Sequence, residues 1–451
     1  MADQWGERLP RTLGLFNAIT ILIGVAIGSG IFRVPATVAD KLHDPRLILL
    51  CWVLGGVIVL CGALTLGELA AALPRSGGIF AYLLESFGPL PAFVFGWTEL
   101  VVIRASALGA TATIFAEYLG YFVPLSAAEV RYVAAAAIVV IGAINYLGAQ
   151  RAAAVMSVAT SAKYAALLVL GLLAYTAASG SFAHFHSGAT ARGPIGSGGL
   201  ALLAAALVPV MWTYDGWADL SFMGGEVRNP QRTLPLALAL GTACVVAAYL
   251  IANVGFLYLF APDQMGGMKL IAAEAAERIP LLAGFGAKLV AAIVVVSAFS
   301  GLNGSMMTGP RIFFAMADQG LFFKAVARVS PRFQSPSVAI WLATALGVAY
   351  VLENDFAELA DRFVLGIWPF YALAVAGVFV LRRTRPQLTR PYRVPGFPWV
   401  PGLFLLASVG LIGGSLWSDP GNTGVTFAII AGGIPLYYLW KRWNNMGHAR
   451  P

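Results

Sequence analysis

The chain has 451 residues, of which 59% are hydrophobic and only 11% are charged. Soluble domains carry about 25% charged residues, and so few charges cannot cover a surface that faces water. The composition therefore excludes a soluble globular protein and indicates an integral membrane protein.

Twelve apolar segments follow one another along the chain. A helix needs about 20 residues to cross the roughly 30 Å hydrocarbon layer of a bilayer, and each segment has about that length or more. The segments lack the two-residue alternation of barrel strands, so the predicted fold is all-α. The predicted spans cover approximately residues 14–38, 46–72, 89–120, 129–148, 152–178, 198–223, 234–260, 283–317, 336–353, 357–381, 397–417 and 423–441.

The basic residues predict the orientation. If both termini are cytoplasmic, most Lys and Arg side chains fall in cytoplasmic loops, as the positive-inside rule requires. The net charge of +8 then reflects membrane topology and does not imply a nucleic-acid partner. No linker or charge block divides the chain, so residues 1–451 are predicted to form one domain in the cytoplasmic (plasma) membrane.

Spans 1 and 6 contain residues that interrupt a membrane helix. Span 1 includes "GVAIGSGIFRVP", with Gly28, Ser29 and Gly30 near its middle, and span 6 includes "WTYDGWAD". Paired interruptions five spans apart are typical of inverted repeats with a binding site at the midplane. The repeats are predicted over approximately 12–178 and 198–381, with extra helices over 397–441. Close packing of helices is the alternative explanation for the glycines.

An interrupted membrane helix leaves backbone groups without partners. A zwitterion suits them, because its carboxylate can bind freed N–H groups at Ser29, Gly30 and Ile31. Its ammonium can bind freed carbonyls near Ala26, Trp212 and Thr213. The simplest solute of this kind is an α-amino acid.

Four motifs in chain order carry a family resemblance: "GSGIFRVP", "ELAAALPRSGGIFAYL", "YDGWADLSFMGGEVRNPQRTLP" and "GSMMTGPRIFFAMADQGLF". They resemble the amino acid-polyamine-organocation transporter superfamily, and most closely its L-type amino-acid transporter branch with the bacterial relatives. The resemblance implies a LeuT-like fold of two inverted five-helix repeats, in which helices 1 and 6 are discontinuous.

The resemblance also implies roles for individual residues. Gly28, Ser29 and Gly30 would receive the substrate carboxylate, and carbonyls of Ala26, Trp212 and Asp215 its ammonium. Tyr214 and Trp217 would line or close the cavity, although they could also be packing residues. The Asp215 carboxylate is costly at mid-membrane and is therefore a functional candidate. Its alternative role is to cap the second half of span 6.

Lys163 is a second charge inside a span. The resemblance implies that it replaces the sodium ion of sodium-coupled members and bridges spans 1, 5 and 8. A lysine that titrates would instead support proton symport, and a lysine that extends to the membrane surface would have no coupling role.

The remaining charges give two further expectations. Glu68, Glu226 and Arg311 are candidate inner-gate residues, with solvated helix ends as the alternative. Glu99 and Arg104 are five residues apart, which is not the spacing of neighbours on an α-helix, so each is expected to pair with another span.

The predicted function is sodium-independent transport of amino acids, by exchange of neutral amino acids through alternating access. Proton-coupled symport and transport of cationic amino acids or polyamines remain open. An intramembrane enzyme or a channel is disfavoured, because the sequence has no HExxH motif and no filter motif. The expected partners are an amino-acid substrate and membrane lipid, with no metal or other cofactor. No disulfide-linked glycoprotein subunit, as in animal heteromeric members, is expected, because the outer loop after span 3 has no cysteine.

Overall fold

A computed structural model describes residues 9–28, 30–186, 197–268, 271–354, 356–418 and 420–447. Within these ranges the chain is helical, and β-structure is limited to two isolated bridges, Leu13 with Val227 and Ser76 with Met223. The all-α prediction is confirmed.

The α-helices are α1 (Leu15–Ala26), α2 (Val34–Leu42), α3 (Pro45–Ala72), α4 (Ile79–Phe87), α5 (Pro89–Thr98), α6 (Arg104–Leu119), α7 (Ala127–Tyr146), α8 (Ala149–Leu173), α9 (Ser197–Tyr214), α10 (Pro230–Leu259), α11 (Pro262–Met265), α12 (Ile271–Arg278), α13 (Gly286–Asp318), α14 (Ser337–Glu353), α15 (Phe356–Thr384), α16 (Trp399–Ser418) and α17 (Pro420–Gly447). Short 3₁₀ helices cover Gly30–Phe32, Ala174–Thr176, Phe182–His186, Asp219–Phe222, Gly224–Glu226, Pro280–Leu282 and Lys324–Ala327, and a π-helical turn covers Glu99–Ile103.

Helices occupy all twelve predicted segments. In the described part of the chain, nine helices are long and apolar enough to cross a membrane, and three shorter apolar helices are Leu15–Ala26, Leu202–Tyr214 and Ser337–Glu353. The chain is therefore a multi-pass membrane protein. The number of crossings and the inverted repeat stay predictions.

Exposure is distributed as expected for a protein surrounded by lipid. Large apolar side chains point outward, such as Val158 at 74% exposed and Trp417 at 89%, whereas Lys163 and Arg311 are buried. Charged side chains are costly in hydrocarbon and therefore lie inside the helix bundle, where they have partners.

Glycine allows α1, α8 and α13 to approach closely. A Cβ atom on Gly24 would lie 2.2 Å from Met156 Cε and 2.3 Å from Thr160 Oγ1, and a Cβ atom on Gly304 would lie 2.4 Å from Val25 Cγ2. The packing explanation therefore holds for Gly24. This close packing brings α1 within reach of the polar side chains of α8 and α13.

Candidate substrate site at two helix interruptions

Span 1 is interrupted where the sequence predicts it. Helix α1 ends at Ala26, and the chain continues as a 3₁₀ helix at Gly30–Phe32 before α2 begins at Val34. Ser29 lies outside the described residues. The last carbonyls of α1 consequently have no intrahelical N–H partners.

Span 6 is interrupted as well. Helix α9 ends at Tyr214, and Gly216 then has a φ of 97°, a left-handed conformation that glycine adopts without steric cost. The chain forms two 3₁₀ helices, Asp219–Phe222 and Gly224–Glu226, and resumes an α-helix only at Pro230. At the end of α9 the Trp212 carbonyl accepts from the Asp215 N–H at 3.2 Å, and the α-helical hydrogen-bond pattern stops there.

The two interruptions face each other through Tyr249 of α10. Its hydroxyl lies 2.7 Å from the Ala26 carbonyl oxygen and 3.0 Å from the Thr213 carbonyl oxygen. A hydroxyl has a single proton, so Tyr249 cannot fully satisfy both carbonyls at once. Tyr249 is not predicted from the sequence, because a tyrosine within a span has no signal that separates this role from packing.

A cavity of about 80 Å³ lies between the interruptions. A single water molecule needs roughly 10–15 Å³ by this measure, so the cavity has room for a small solute. The described residues that line it are Val25, Ala26, Gly28, Gly30, Arg104, Ala107, Ala110, Thr111, Trp212, Thr213, Asp215, Asp219, Gly301, Ser305 and Phe363. Six of the predicted site residues thus meet at one cavity: Ala26, Gly28, Gly30, Trp212, Thr213 and Asp215.

Three predicted site residues lie behind the cavity wall instead. Ile31 is fully buried, Tyr214 donates a hydrogen bond of 3.1 Å to the Trp52 carbonyl, and Trp217 packs against Tyr371 with ring centroids 5.0 Å apart. Neither Tyr214 nor Trp217 is among the described residues that line this cavity, and their expected role in closing it stays a prediction. Each ring finds aromatic neighbours deeper in the bundle.

Lys163 is buried against the interruption of span 1. Its Nζ atom donates to the Gly24 carbonyl at 2.7 Å, donates to the Ile27 carbonyl, and lies 3.5 Å from the Ser297 carbonyl. It therefore links α8 to α1 and α13 and does not extend to the membrane surface. An ammonium is well suited to this place, because the C-terminal end of a helix carries partial negative charge.

Glu99 and Arg104 pair with each other, contrary to the sequence expectation. Arg104 Nε lies 3.3 Å from Glu99 Oε2, and Nη2 lies 3.4 Å from Oε1. The cause is the π-helical turn at Glu99–Ile103, in which residues five apart come together. Arg104 Nη1 also contacts other segments, at 2.8 Å from Ser305 Oγ and 3.5 Å from Asp219 Oδ2.

Two aspartates face this cavity from the interrupted span 6. Asp215 Oδ1 accepts a hydrogen bond of 2.8 Å from the Tyr371 hydroxyl, and Asp219 Oδ2 accepts one of 2.6 Å from Thr308. The residue that precedes the 3₁₀ helix is Ala218, so Asp215 does not cap it. The sequence analysis did not single out Asp219, although the second acid in "YDGWAD" was a visible signal.

The predicted gate residues form buried ion pairs on the side of the N-terminal segment. Arg311 donates to both oxygens of Glu226, at 2.7 and 3.1 Å, and the backbone N–H groups of Thr12 and Leu13 donate to the Glu226 carbonyl. Glu68 accepts from Arg382 at 2.9 and 2.6 Å. These groups are therefore not solvated helix ends, and their role as a gate stays a prediction.

The fold and the cavity together define a multi-pass membrane transporter. The family model described as Amino acid permease matches residues 13–438, and the chain belongs to this family. The family consists of transporters, so the protein is not an enzyme.

Several relatives match over nearly the whole chain. The serine/threonine exchanger SteT of Bacillus subtilis is 29% identical over 96% of this chain and 98% of its own length. The human cystine/glutamate transporter is 30% identical over 97% of this chain and 87% of its own length. The human b(0,+)-type amino acid transporter 1 is 31% identical over 91% of this chain and 84% of its own length.

Arg311→Met is expected to destabilise the protein by about 3–5 kcal/mol, because it leaves the buried Glu226 carboxylate without its partner. The melting temperature of the purified protein measures this effect. Arg228→Met, at an exposed position, is the control and should melt like the wild type. Adding Glu226→Gln to Arg311→Met should recover part of the loss, and a wild-type melting temperature for Arg311→Met alone would contradict the assignment.

Proposed function

We propose that this protein is a sodium-independent exchanger of small neutral amino acids in the cytoplasmic membrane, with both termini in the cytoplasm. It works by alternating access around the two interrupted helices. The observation that carries the proposal is that backbone groups of both interruptions face one cavity, where a zwitterion would find donors and acceptors together.

The substrate carboxylate binds at Gly28, Ser29 and Gly30. The N–H groups at the start of the 3₁₀ helix lie at the N-terminal end of the second half of span 1. The helix dipole is positive at this end and therefore favours an anion. The space beside Gly28 supports this placement, since among the described residues no atom outside its chain neighbours would lie within 4 Å of a Cβ atom there. A Cβ atom built on Gly30 would lie 2.8 Å from Thr213 Oγ1, so Thr213 fills the space on that side of Gly30.

The substrate ammonium binds at the interruption of span 6. Tyr249 cannot fully pair the Thr213 carbonyl, and Trp212 and Asp215 lie beside that carbonyl on the same cavity wall. The carboxyl group of Asp215 adds attraction for a cation, because charges interact more strongly inside a protein than in bulk water. The ammonium can supply three donors to this acceptor set.

The size of the cavity favours a small side chain. A volume of about 80 Å³ suits a short amino acid better than a polyamine or a long cationic amino acid. The relative described as a serine/threonine exchanger supports both the small substrate and the exchange reaction. Exchange also requires that the unloaded carrier does not readily change sides.

Sodium independence follows from Lys163. Its ammonium lies among the carbonyl oxygens of Gly24, Ile27 and Ser297, and carbonyl oxygens are the ligands that a hard cation such as sodium would need. The protein thus carries its own fixed cation between the two halves. The three free cysteines, Cys51, Cys61 and Cys244, lie within α3 and α10, which supports a carrier without a disulfide-linked subunit.

Alternating access follows from the position of the ion pairs. Two ion pairs, Glu226–Arg311 and Glu68–Arg382, close the bundle on the side where the N-terminal segment lies. The α6 residues that line the cavity run from Arg104 to Thr111, away from that side. With the termini in the cytoplasm, these ion pairs lie on the cytoplasmic side of the cavity. Release to the cytoplasm then requires these ion pairs to separate.

Uptake by the purified protein in liposomes tests the proposal. We expect labelled serine or alanine to enter only when the liposomes contain an unlabelled amino acid, and to enter equally in sodium and choline buffers. Uptake that needs a proton gradient and no internal amino acid would favour proton symport instead. No uptake of any amino acid would contradict the proposal.

Gly28→Val is expected to abolish amino-acid binding in a protein that still folds, because the added methyl groups enter the cavity and not a packed interface. Thermal stabilisation by a saturating amino acid measures binding. Gly410→Val, at an exposed helix position with open space around it, is the matched control. Stabilisation of Gly28→Val by the same amino acid would place the carboxylate elsewhere.

Lys163→Ala is expected to reduce exchange at least about tenfold, because it removes the cation that the carbonyls of Gly24 and Ile27 share inside the bundle. Exchange in liposomes at matched protein content measures the loss. Lys288→Ala, on the exposed face of α13, is the control. Wild-type exchange rates for Lys163→Ala would refute its coupling role.

A further inference from the structure

We propose that Asp219 makes this transporter reject acidic amino acids, by keeping the Arg104 guanidinium in a buried ion pair so that it does not serve a substrate carboxylate. The inference rests on the proposed function and concerns the charge that the substrate side chain can carry. Arg104 and Asp219 are both cavity-lining residues, so a substrate side chain would meet them directly.

Every nitrogen of the Arg104 side chain has an acceptor within the protein. Nε and Nη2 face the two oxygens of Glu99, and Nη1 faces Asp219 Oδ2, Ser305 Oγ and the Ser305 carbonyl. A guanidinium binds carboxylates through its fork of N–H donors, and here that fork is already engaged. Arg104 is only 3% exposed, so it has little freedom to turn toward the cavity.

The wall around Arg104 has more acidic than basic groups. Asp215 and Asp219 line the cavity, Glu99 contacts Arg104 from outside the lining, and Arg104 is the one cation among the described residues that line it. A second carboxylate from a substrate side chain would lie near the Asp219 carboxylate in a buried site, where charges interact more strongly than in water. A neutral side chain of equal size would not incur this penalty.

Three contacts keep Arg104 in place. Asp219 is itself fixed by the Thr308 hydroxyl at 2.6 Å, and Glu99 is held on the adjoining π-helical turn. The stem of Arg104 lies on Gly309, where a Cβ atom would come within 2.2 Å of Nε. Of the two acids that pair with Arg104, only Asp219 lines the cavity, so its replacement changes the charge that the substrate meets.

Membership of the family does not decide this preference. Its relatives include one described as a serine/threonine exchanger and another described as a cystine/glutamate transporter. The charge of the substrate side chain that each transporter accepts must therefore depend on residues that differ from one family member to another. In this chain the Asp219–Arg104 pair in the cavity wall determines which charge of the substrate side chain is accepted.

The test compares two competitors of equal size, free L-asparagine and free L-aspartate, for exchange of labelled serine into serine-loaded liposomes at pH 7. The wild type should be inhibited by asparagine at a concentration at least about tenfold lower than by aspartate. Asp219→Asn should narrow this ratio at least about tenfold, because it removes one negative charge from the cavity and takes from Arg104 the carboxylate with which it forms an ion pair there. Asp219→Asn alone should be inhibited by aspartate more strongly than the wild type, and the double variant Asp219→Asn/Arg104→Gln should not show this increase.

Asp219→Glu, which keeps the charge, is the control and should retain the wild-type preference. Equal inhibition of the wild type by asparagine and aspartate would overturn the inference whether or not Asp219→Asn folds. An active Asp219→Asn with an unchanged ratio would overturn it too. Absence of any serine exchange in the wild type would instead contradict the proposed function.

Discussion

Backbone groups inside a membrane must find partners within the protein, because no water is available in the hydrocarbon layer. The two interrupted helices leave backbone groups without helical partners, and side chains of the surrounding bundle supply partners for several of these groups. Lys163 and Ser297 pair carbonyls at the end of α1, and Tyr249 reaches both interruptions. In our proposal the substrate pairs with N–H groups near Gly30 and with the Thr213 carbonyl, which Tyr249 pairs incompletely.

The same constraint sorts the buried charges into three sets with different tasks. Lys163 compensates backbone carbonyls and has no carboxylate partner among its described contacts. The pairs of Glu226 with Arg311 and Glu68 with Arg382 join segments on the side of the N-terminus. Arg104 with Glu99 and Asp219 borders the cavity. Coupling, closure and selectivity are thereby assigned to separate groups, each of which can be altered without removing the others.

The sequence predicts the class, the helical segments and both interruptions, because these depend on composition and on local residues such as Gly28 and the Asp215–Gly216 pair. The place of Lys163 came from the family resemblance. The pairing of Glu99 with Arg104 could not be predicted, since the spacing assumes an α-helix and the chain forms a π-helical turn there. Tyr249 and the inward packing of Tyr214 depend on contacts between distant helices, which no local pattern encodes.

The central claim is that the two interruptions bind the carboxylate and the ammonium of one amino acid together. Competition for labelled alanine exchange by propionate and by ethylamine tests it most directly, because each compound lacks one of the two groups. Our account predicts that both inhibit at least about tenfold more weakly than L-alanine, since each loses a set of charge-assisted hydrogen bonds. Inhibition by either compound at the same concentration as L-alanine would contradict it.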